Sequence, residues 1–372
     1  MRLAIVHYWL LGMRGGEFVV EALCRLFPDA DIFTLFYDPD LVSGTIRNHR
    51  VTASYLNPFR RHHRRMLPFM PSALESFDLR GYDLVISSES GPAKGVLTSA
   101  RTKHLCYCHT PMRYLWELYP AYLHDWTSQA WKRAFMRPLS RRLRLWDFAA
   151  AARVDEFVAN SANVQQRIWK TYRRESQVIH PPVAVNTFRS EPADDYYMTV
   201  SELVSYKQLD YAIAAFAQNG RRLRIVGDGP EYRALRRLAS PNIEFCGRVS
   251  PEELRSLYAR CRAFVQPGEE DFGIASVEAL ASGRPVIALG RGGAVETVPL
   301  DPLGGVLYPE STVSSLQGAI QELDRIENSV RPLHLQRWAS QFDETQFRLR
   351  MEEKIHQIMT PASVPAGLPA WS

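Results

Sequence analysis

The sequence predicts an α/β protein of two doubly wound, Rossmann-like domains, each a parallel sheet with helices on both faces, and three observations carry that expectation. Short apolar runs (MRLAIVHYWL, ADIFTLFYD, YDLVISSES and KHLCYCHT) alternate with helical or basic segments, and strands apolar on both faces belong in a covered parallel sheet. The Pro181-Pro182 pair interrupts the series, because proline fits neither a helix interior nor a central strand. The alternation then restarts with YYMTVSELV, RRLRIVGDGP, NIEFCGRV, RAFVQPG, PVIALG and GGVLYP. A chain of 372 residues is also long for a single core.

Taken in order, the first strand runs into LGMRGGEFVVEALCRLF, a glycine turn opening a helix with Phe18, Val19, Ala22, Leu23 and Leu26 on one stripe. Gly12, Gly15 and Gly16 let the backbone approach a ligand. They do not spell GxGxxG, and no acidic residue is placed for a dinucleotide ribose, which disfavours a dehydrogenase. His109 ends the strand KHLCYC, at the carboxyl edge where doubly wound sheets hold ligands. Lys207 follows the first strand of the second series, where its ammonium can meet a phosphate. Gly227-Asp228-Gly229-Pro230 reads as a tight turn, residues 338–359 as a last amphipathic helix, and 361–372 as a flexible tail.

The stretch from Arg262 to Thr297 is where the chemistry concentrates. AFVQP and PVIALG read as neighbouring strands, each followed by a glycine turn and a helix start, and a helix start offers unpaired N–H groups and a positive dipole end to an anion. Glu270 lies in the first turn and Glu278 on its helix. Eight helical residues rise about 12 Å, so the two carboxylates cannot share a proton, but they can grip two ends of one elongated ligand.

Apolar content of 46% and charged content of 23% are those of a globular protein. The net charge of +5 is concentrated. Residues 57–71 carry Arg60, Arg61, Arg64 and Arg65, and residues 131–146 carry Lys132, Arg133, Arg137, Arg141, Arg142 and Arg144, neither with an acid. Both interleave aromatic or aliphatic residues, a pattern suited to an anionic membrane surface. Nucleic acid is disfavoured because no DNA- or RNA-binding motif accompanies the charge. The five cysteines are odd in number and scattered in apolar runs, which fits reduced thiols in a cytoplasm. With no run of eighteen apolar residues, membrane contact is expected to be peripheral.

The glycine loop after the first strand, His109, Lys207 and an E-x7-E written EEDFGIASVE together make the chain resemble the retaining nucleotide-sugar glycosyltransferases of family 4, with the GT-B fold. CHTPMRYLWELY, AARVDEFVANS and VIHPPV are similar to the branch of bacterial O-antigen and exopolysaccharide mannosyltransferases that use GDP-mannose. The resemblance implies two domains facing a central cleft: an acceptor-side domain over 1–183, a nucleotide-sugar domain over 184–340, and a helix over 341–360 crossing back to the first. It places Gly15 and Gly16 near the donor diphosphate and His109 on the transferred sugar. Lys207 falls on the diphosphate, the Gly227 and Gly229 turn in the donor site, Glu270 with the Phe272, Gly273 and Ile274 backbone on the sugar, Glu278 on the ribose, and Val249 near the base.

The same resemblance implies a hexosyltransferase needing no cofactor and no metal, acting on a polyprenyl-diphosphate-linked or other lipid-linked glycan at the inner membrane. No DxD motif is present to hold a metal. A different GT-B activity with a UDP-sugar, as transferase or epimerase, and a catalytically weak binding or assembly subunit are the alternatives. The second is motivated by Glu202, which stands where relatives read arginine in S-R-L-V-P-Y-K. An acid beside a dianion repels it unless turned away or paired with a base such as Arg291.

Overall fold

The computed structural model describes residues 1–120, 130–301 and 303–360, the side chains of 130–135 excepted. The expected tail over 361–372 lies outside the described residues, as do the side chains of Lys132 and Arg133. The described chain forms two compact units. One comprises residues 1–160 and 164–179 and resumes at Phe347; the other comprises residues 161–163 and 180–346.

The first unit is built on β1 (Leu3–His7), β2 (Asp31–Thr34), β3 (Val51–Ala53), β4 (Leu84–Glu89), β5 (Lys103–Cys108), β6 (Glu156–Ala159) and β7 (Gln177–Val178). They pair in the order β3-β2-β1-β4-β5-β6-β7, parallel throughout. The two-residue period of a strand puts Ile5 and Leu105 into one core layer and Ala4, Val6 and Val85 into the layer on the opposite face. Both layers are dry, which is why these strands read as continuous apolar runs.

The second unit repeats the plan with β8 (Tyr197–Val200), β9 (Leu223–Val226), β10 (Ile243–Gly247), β11 (Ala263–Gln266), β12 (Val286–Leu289) and β13 (Gly305–Tyr308). Their order is β10-β9-β8-β11-β12-β13, again parallel. In each sheet the strand order reverses at one place, between β1 and β4 and between β8 and β11. The carboxyl ends there form the crevice where doubly wound sheets bind ligands.

Three local expectations are corrected. Phe18 is 45% exposed, and Val20, fully buried, joins Val19 and Leu23 on the inner stripe of the helix Gly15–Leu26. The single helix expected over 338–359 is two, Pro332–Ala339 and Glu344–Met359, parted by a turn at Ser340–Phe342 whose Phe342 is buried. The short edge strand β3 went unforeseen, because three half-buried residues carry almost no periodic signal. Phe347, Met351 and Ile355 of the final helix pack into the first unit's core.

Candidate functional site

At the crevice of the first sheet, strand register sets His7 opposite Ser88 and Glu89 opposite Cys108, with His109 next along the chain. His7 Nδ1 lies 3.0 Å from the Ser88 carbonyl and 3.2 Å from its hydroxyl, and that hydroxyl lies 2.9 Å from His109 Nε2. Burial pulls the His7 pKa down to about 3, the nearby His109 adding to it and the Ser88 carbonyl opposing it. Burial alone pulls His109 down to about 4. Both rings are therefore neutral at neutral pH. The helix Gly15–Leu26 begins beside them: a Cβ on Gly16 would lie 3.4 Å from His7 Cε1 and 3.7 Å from His109 Nε2. Gly15 and Gly16 are thus the first helical residues and not a free loop. Glu17 in that first turn is 2% exposed, and burial raises its carboxyl to about 7 although it accepts from the Arg14 amide at 3.2 Å.

Behind this row lies an ion cluster the sequence did not announce. Lys94, Glu89 and Asp147 are all fully buried. The Lys94 ammonium donates to Glu89 at 2.7 Å and to Asp147. The Lys94 backbone N–H donates to the other Glu89 oxygen at 2.7 Å. Trp116 Nε1 and the Tyr172 hydroxyl donate to Asp147 at 2.7 and 2.9 Å. Burial by itself would lower the Lys94 pKa, but Asp147 and Glu89 outweigh it and hold the pKa above the usual lysine value. The cluster's members are 5 and 53 positions apart in sequence, so only the fold brings them together.

At the crevice of the second sheet, Lys207 ends a short 3-10 turn, Ser205–Lys207, after β8, and its ammonium reaches both carboxylate oxygens of Glu270 at 2.5 Å. The expected separate roles for these residues become one ion pair, because β8 and β11 are adjacent and their following turns converge. Burial works to lower the Lys207 pKa, and Glu270 more than offsets it, leaving it raised. The side chains remain 17% and 26% exposed, so the pair is reachable.

Gly273, at φ +93°, caps the helix Ile274–Ala281. Gly292, at φ +64°, would put a Cβ 2.3 Å from the Glu270 carbonyl, and the Gly293 amide donates to that carbonyl at 2.8 Å. The paired glycines after β12 therefore grip the Glu270 turn, backbone on backbone, a function that spacing alone does not reveal. Gly227 and Gly229 are needed for a similar reason: added Cβ atoms would fall 1.9 Å from the Ser201 carbonyl and 2.4 Å from that of Leu203. Glu278 is half-buried on its helix, and burial raises its carboxyl to about 7, opposed by Tyr258. Val249 packs half-buried at the margin of the second unit's core beyond β10. Glu202 is half-buried just after β8, and Arg291 is exposed after β12.

Of the basic stretches, Arg60 is tied to Asp38 at 3.1 Å. Arg144 donates to the Leu115 carbonyl at 3.0 Å and lies 4.5 Å over the Tyr119 ring. Arg61, Arg64, Arg65 and Arg141 are exposed, with Phe59 and Phe69 more than half exposed near the first three. No described helix is long and apolar enough to cross a membrane. No group of three or more metal-ligating side chains occurs among the described residues.

A ligand crevice at the switch point of each of two parallel sheets, one furnished with neutral imidazoles and the other with a reachable ion pair beside a helix start, defines a two-domain α/β binding protein of GT-B architecture. Residues 13–187 match the family described as Glycosyltransferase Family 4, and residues 186–333 match Glycosyl transferases group 1. The chain belongs to the family 4 glycosyltransferases.

Among curated proteins it is 27% identical over 179 residues to an uncharacterized glycosyltransferase of Methanocaldococcus jannaschii, covering 47% of this chain and 51% of that protein. It is 32% identical over 178 residues to the GDP-mannose-dependent alpha-(1-6)-phosphatidylinositol monomannoside mannosyltransferase of Mycobacterium tuberculosis, covering 40% and 46%. The matches thus span about half the length of these relatives. Among solved structures, Anabaena Alr3699/HepE in complex with UDP superposes with a TM-score of 0.69 at 16% identity, covering 96% of this chain and 100% of the other. Sucrose-phosphate synthase from Thermosynechococcus elongatus gives 0.70 at 17%, covering 97% and 100%.

Proposed function

We propose that the protein transfers a hexose, mannose from GDP-mannose, with retention of anomeric configuration, to a lipid-linked glycan acceptor in the assembly of a cell-surface polysaccharide such as O-antigen or exopolysaccharide. The observation that carries the reading is the Lys207–Glu270 pair, mostly buried but still reachable from solvent, beside the start of the helix Ile274–Ala281. The ammonium and the helix amides supply positive charge for a departing diphosphate, and Glu270 is held where it can accept from sugar hydroxyls. Glu278 takes the ribose, Val249 borders the base, and His109 contacts the transferred sugar.

GDP-mannose is favoured because mannosyltransferases of Corynebacterium glutamicum and Mycobacterium tuberculosis using that donor are among the relatives. The diphosphate is stabilised by fixed protein charge, so no metal is needed. Front-face departure leaves no role for a carboxylate nucleophile of the glycosidase kind. The exposed arginines with Phe59 and Phe69 seat the protein on an anionic inner-membrane surface.

Glu202 favours a second reading, a donor-binding subunit with weak chemistry. One experiment separates them: a panel of GDP- and UDP-sugars is scored first by melting shift and then by nucleotide release with and without a lipid-linked glycan. GDP-mannose should stabilise the protein most and release GDP only with acceptor. Binding without acceptor-dependent release selects the subunit reading, and preference for a UDP-sugar overturns the donor assignment.

A further inference from the structure

The row His7–Ser88–His109 has a direction that the positions of its atoms determine. His7 Nδ1 lies 3.0 Å from the Ser88 carbonyl oxygen, which can only accept, so Nδ1 carries the ring's hydrogen and donates. The Ser88 hydroxyl, 3.2 Å from the same nitrogen, accepts a share of that bond and lies 2.9 Å from His109 Nε2; an N–H on that nitrogen would leave the buried hydroxyl's own proton with neither imidazole as acceptor, whereas a bare Nε2 receives it. His109 Nε2 is therefore the bare nitrogen. A neutral imidazole holds one N–H, which by elimination sits on His109 Nδ1. The reverse arrangement would set the His7 lone pair against the Ser88 carbonyl at hydrogen-bond distance. Doubly protonated rings are disfavoured by burial, His7 being fully buried and Ser88 likewise.

We infer that His7 and Ser88 are positioning residues that hold His109 in its Nδ1–H tautomer, so that the ring offers the transferred sugar a hydrogen-bond donor of fixed polarity. This rests on the proposed contact of His109 with the sugar. Free neutral histidine prefers the Nε2–H form, so the Ser88 hydroxyl is what selects the other tautomer. The hydroxyl can serve because β4 lies between β1 and β5 in the sheet, with Ser88 in register with His7 on one side and Tyr107 on the other. Gly16 contributes room: its missing side chain leaves the space beside His7 Cε1 open.

The test is the ring nitrogen spectrum of the full chain labelled with 15N-histidine, in which the protonated nitrogen of each ring is read from its shift. His7→Gln and His109→Gln assign the two rings among the ten histidines. Wild type should show His109 protonated on Nδ1. Ser88→Ala should move it to Nε2 and lower kcat about tenfold with donor KM little changed, the loss expected for one misdirected hydrogen bond. Ser88→Thr, which keeps the hydroxyl, should restore both. An Nε2–H signal for His109 in wild type, or no tautomer change in Ser88→Ala, overturns the inference. A tautomer change with kcat unaltered overturns its link to the sugar. The spectrum needs no substrate, so absence of turnover with every donor would count against the proposed activity and leave the tautomer assignment decided.

Discussion

The two crevices sit at equivalent places in two sheets of the same strand order, yet they treat charge in opposite ways. In the first, the ion cluster is sealed in: Lys94, Glu89 and Asp147 satisfy one another at zero exposure, and the histidines in front of them are neutral. In the second, the Lys207–Glu270 pair stays partly open to solvent. A sealed ionic cluster holds strands and helices in place and is a poor ligand, since opening it would strand charges in a dry interior. An open pair can trade its internal partner for a ligand's phosphate or hydroxyl.

The comparison breaks most readily at Lys94. Lys94→Met leaves two facing carboxylates buried without their cation, and a loss of about 3–5 kcal/mol in denaturant unfolding is expected. A change below about 1 kcal/mol would mean the cluster is not the structural half of the pair. Lys207→Ala should act on the other side of the contrast. Turnover should drop about a hundredfold or more, while the unfolding midpoint moves less than for Lys94→Met, because solvent still reaches the Glu270 carboxylate that is left behind.

Glu278 sharpens the contrast through pH. Its carboxyl, raised by burial from the ordinary 4.5 to about 7, binds a proton more tightly folded than unfolded. The folded state therefore loses stability as pH climbs from the ordinary value to about 7, and the full loss is present above that. Glu278→Gln removes the charge and should raise Tm at pH 8 while leaving it nearly unchanged at pH 4. The same substitution should weaken the melting shift given by GDP-mannose, and in the unaltered protein that shift should fade as pH drops below about 7. The smallest effect belongs to the surface. Arg61→Glu with Arg65→Glu should weaken binding to anionic vesicles by about 1 kcal/mol or more per site without changing turnover on a soluble acceptor, whereas Arg60→Glu should also disturb the fold through Asp38.

Much of this was written into the chain. Apolar runs buried on both faces, restarting after Pro181-Pro182, give two parallel sheets because strand and helix periods are local properties. Lys207 and Glu270 stand out because each follows a strand, and Glu278 because it lies on the helix that Glu270's turn opens. Ser88 could have been noticed as a hydroxyl ending an apolar strand, but nothing in its neighbours distinguishes it from a solvated terminus. Gly292-Gly293 resembled an ordinary turn until the Glu270 carbonyl was found against them.

What the sequence by itself determined is therefore the apolar strands inside each sheet, their alternation with helices and the places where ligand-binding side chains leave the sheets. Tertiary structure alone decided which of those side chains meet. Lys207 and Glu270 are 63 positions apart, His7 and Ser88 are 81 apart, and Lys94 and Asp147 are 53 apart. The first two are made by crossover connections that bring distant strand ends to one edge, and the third by the helix Ala130–Ala152, which brings Asp147 to the turn Ala93–Gly95. Local propensity fixes where a strand ends, but only the order of strands in the sheet fixes what it ends beside.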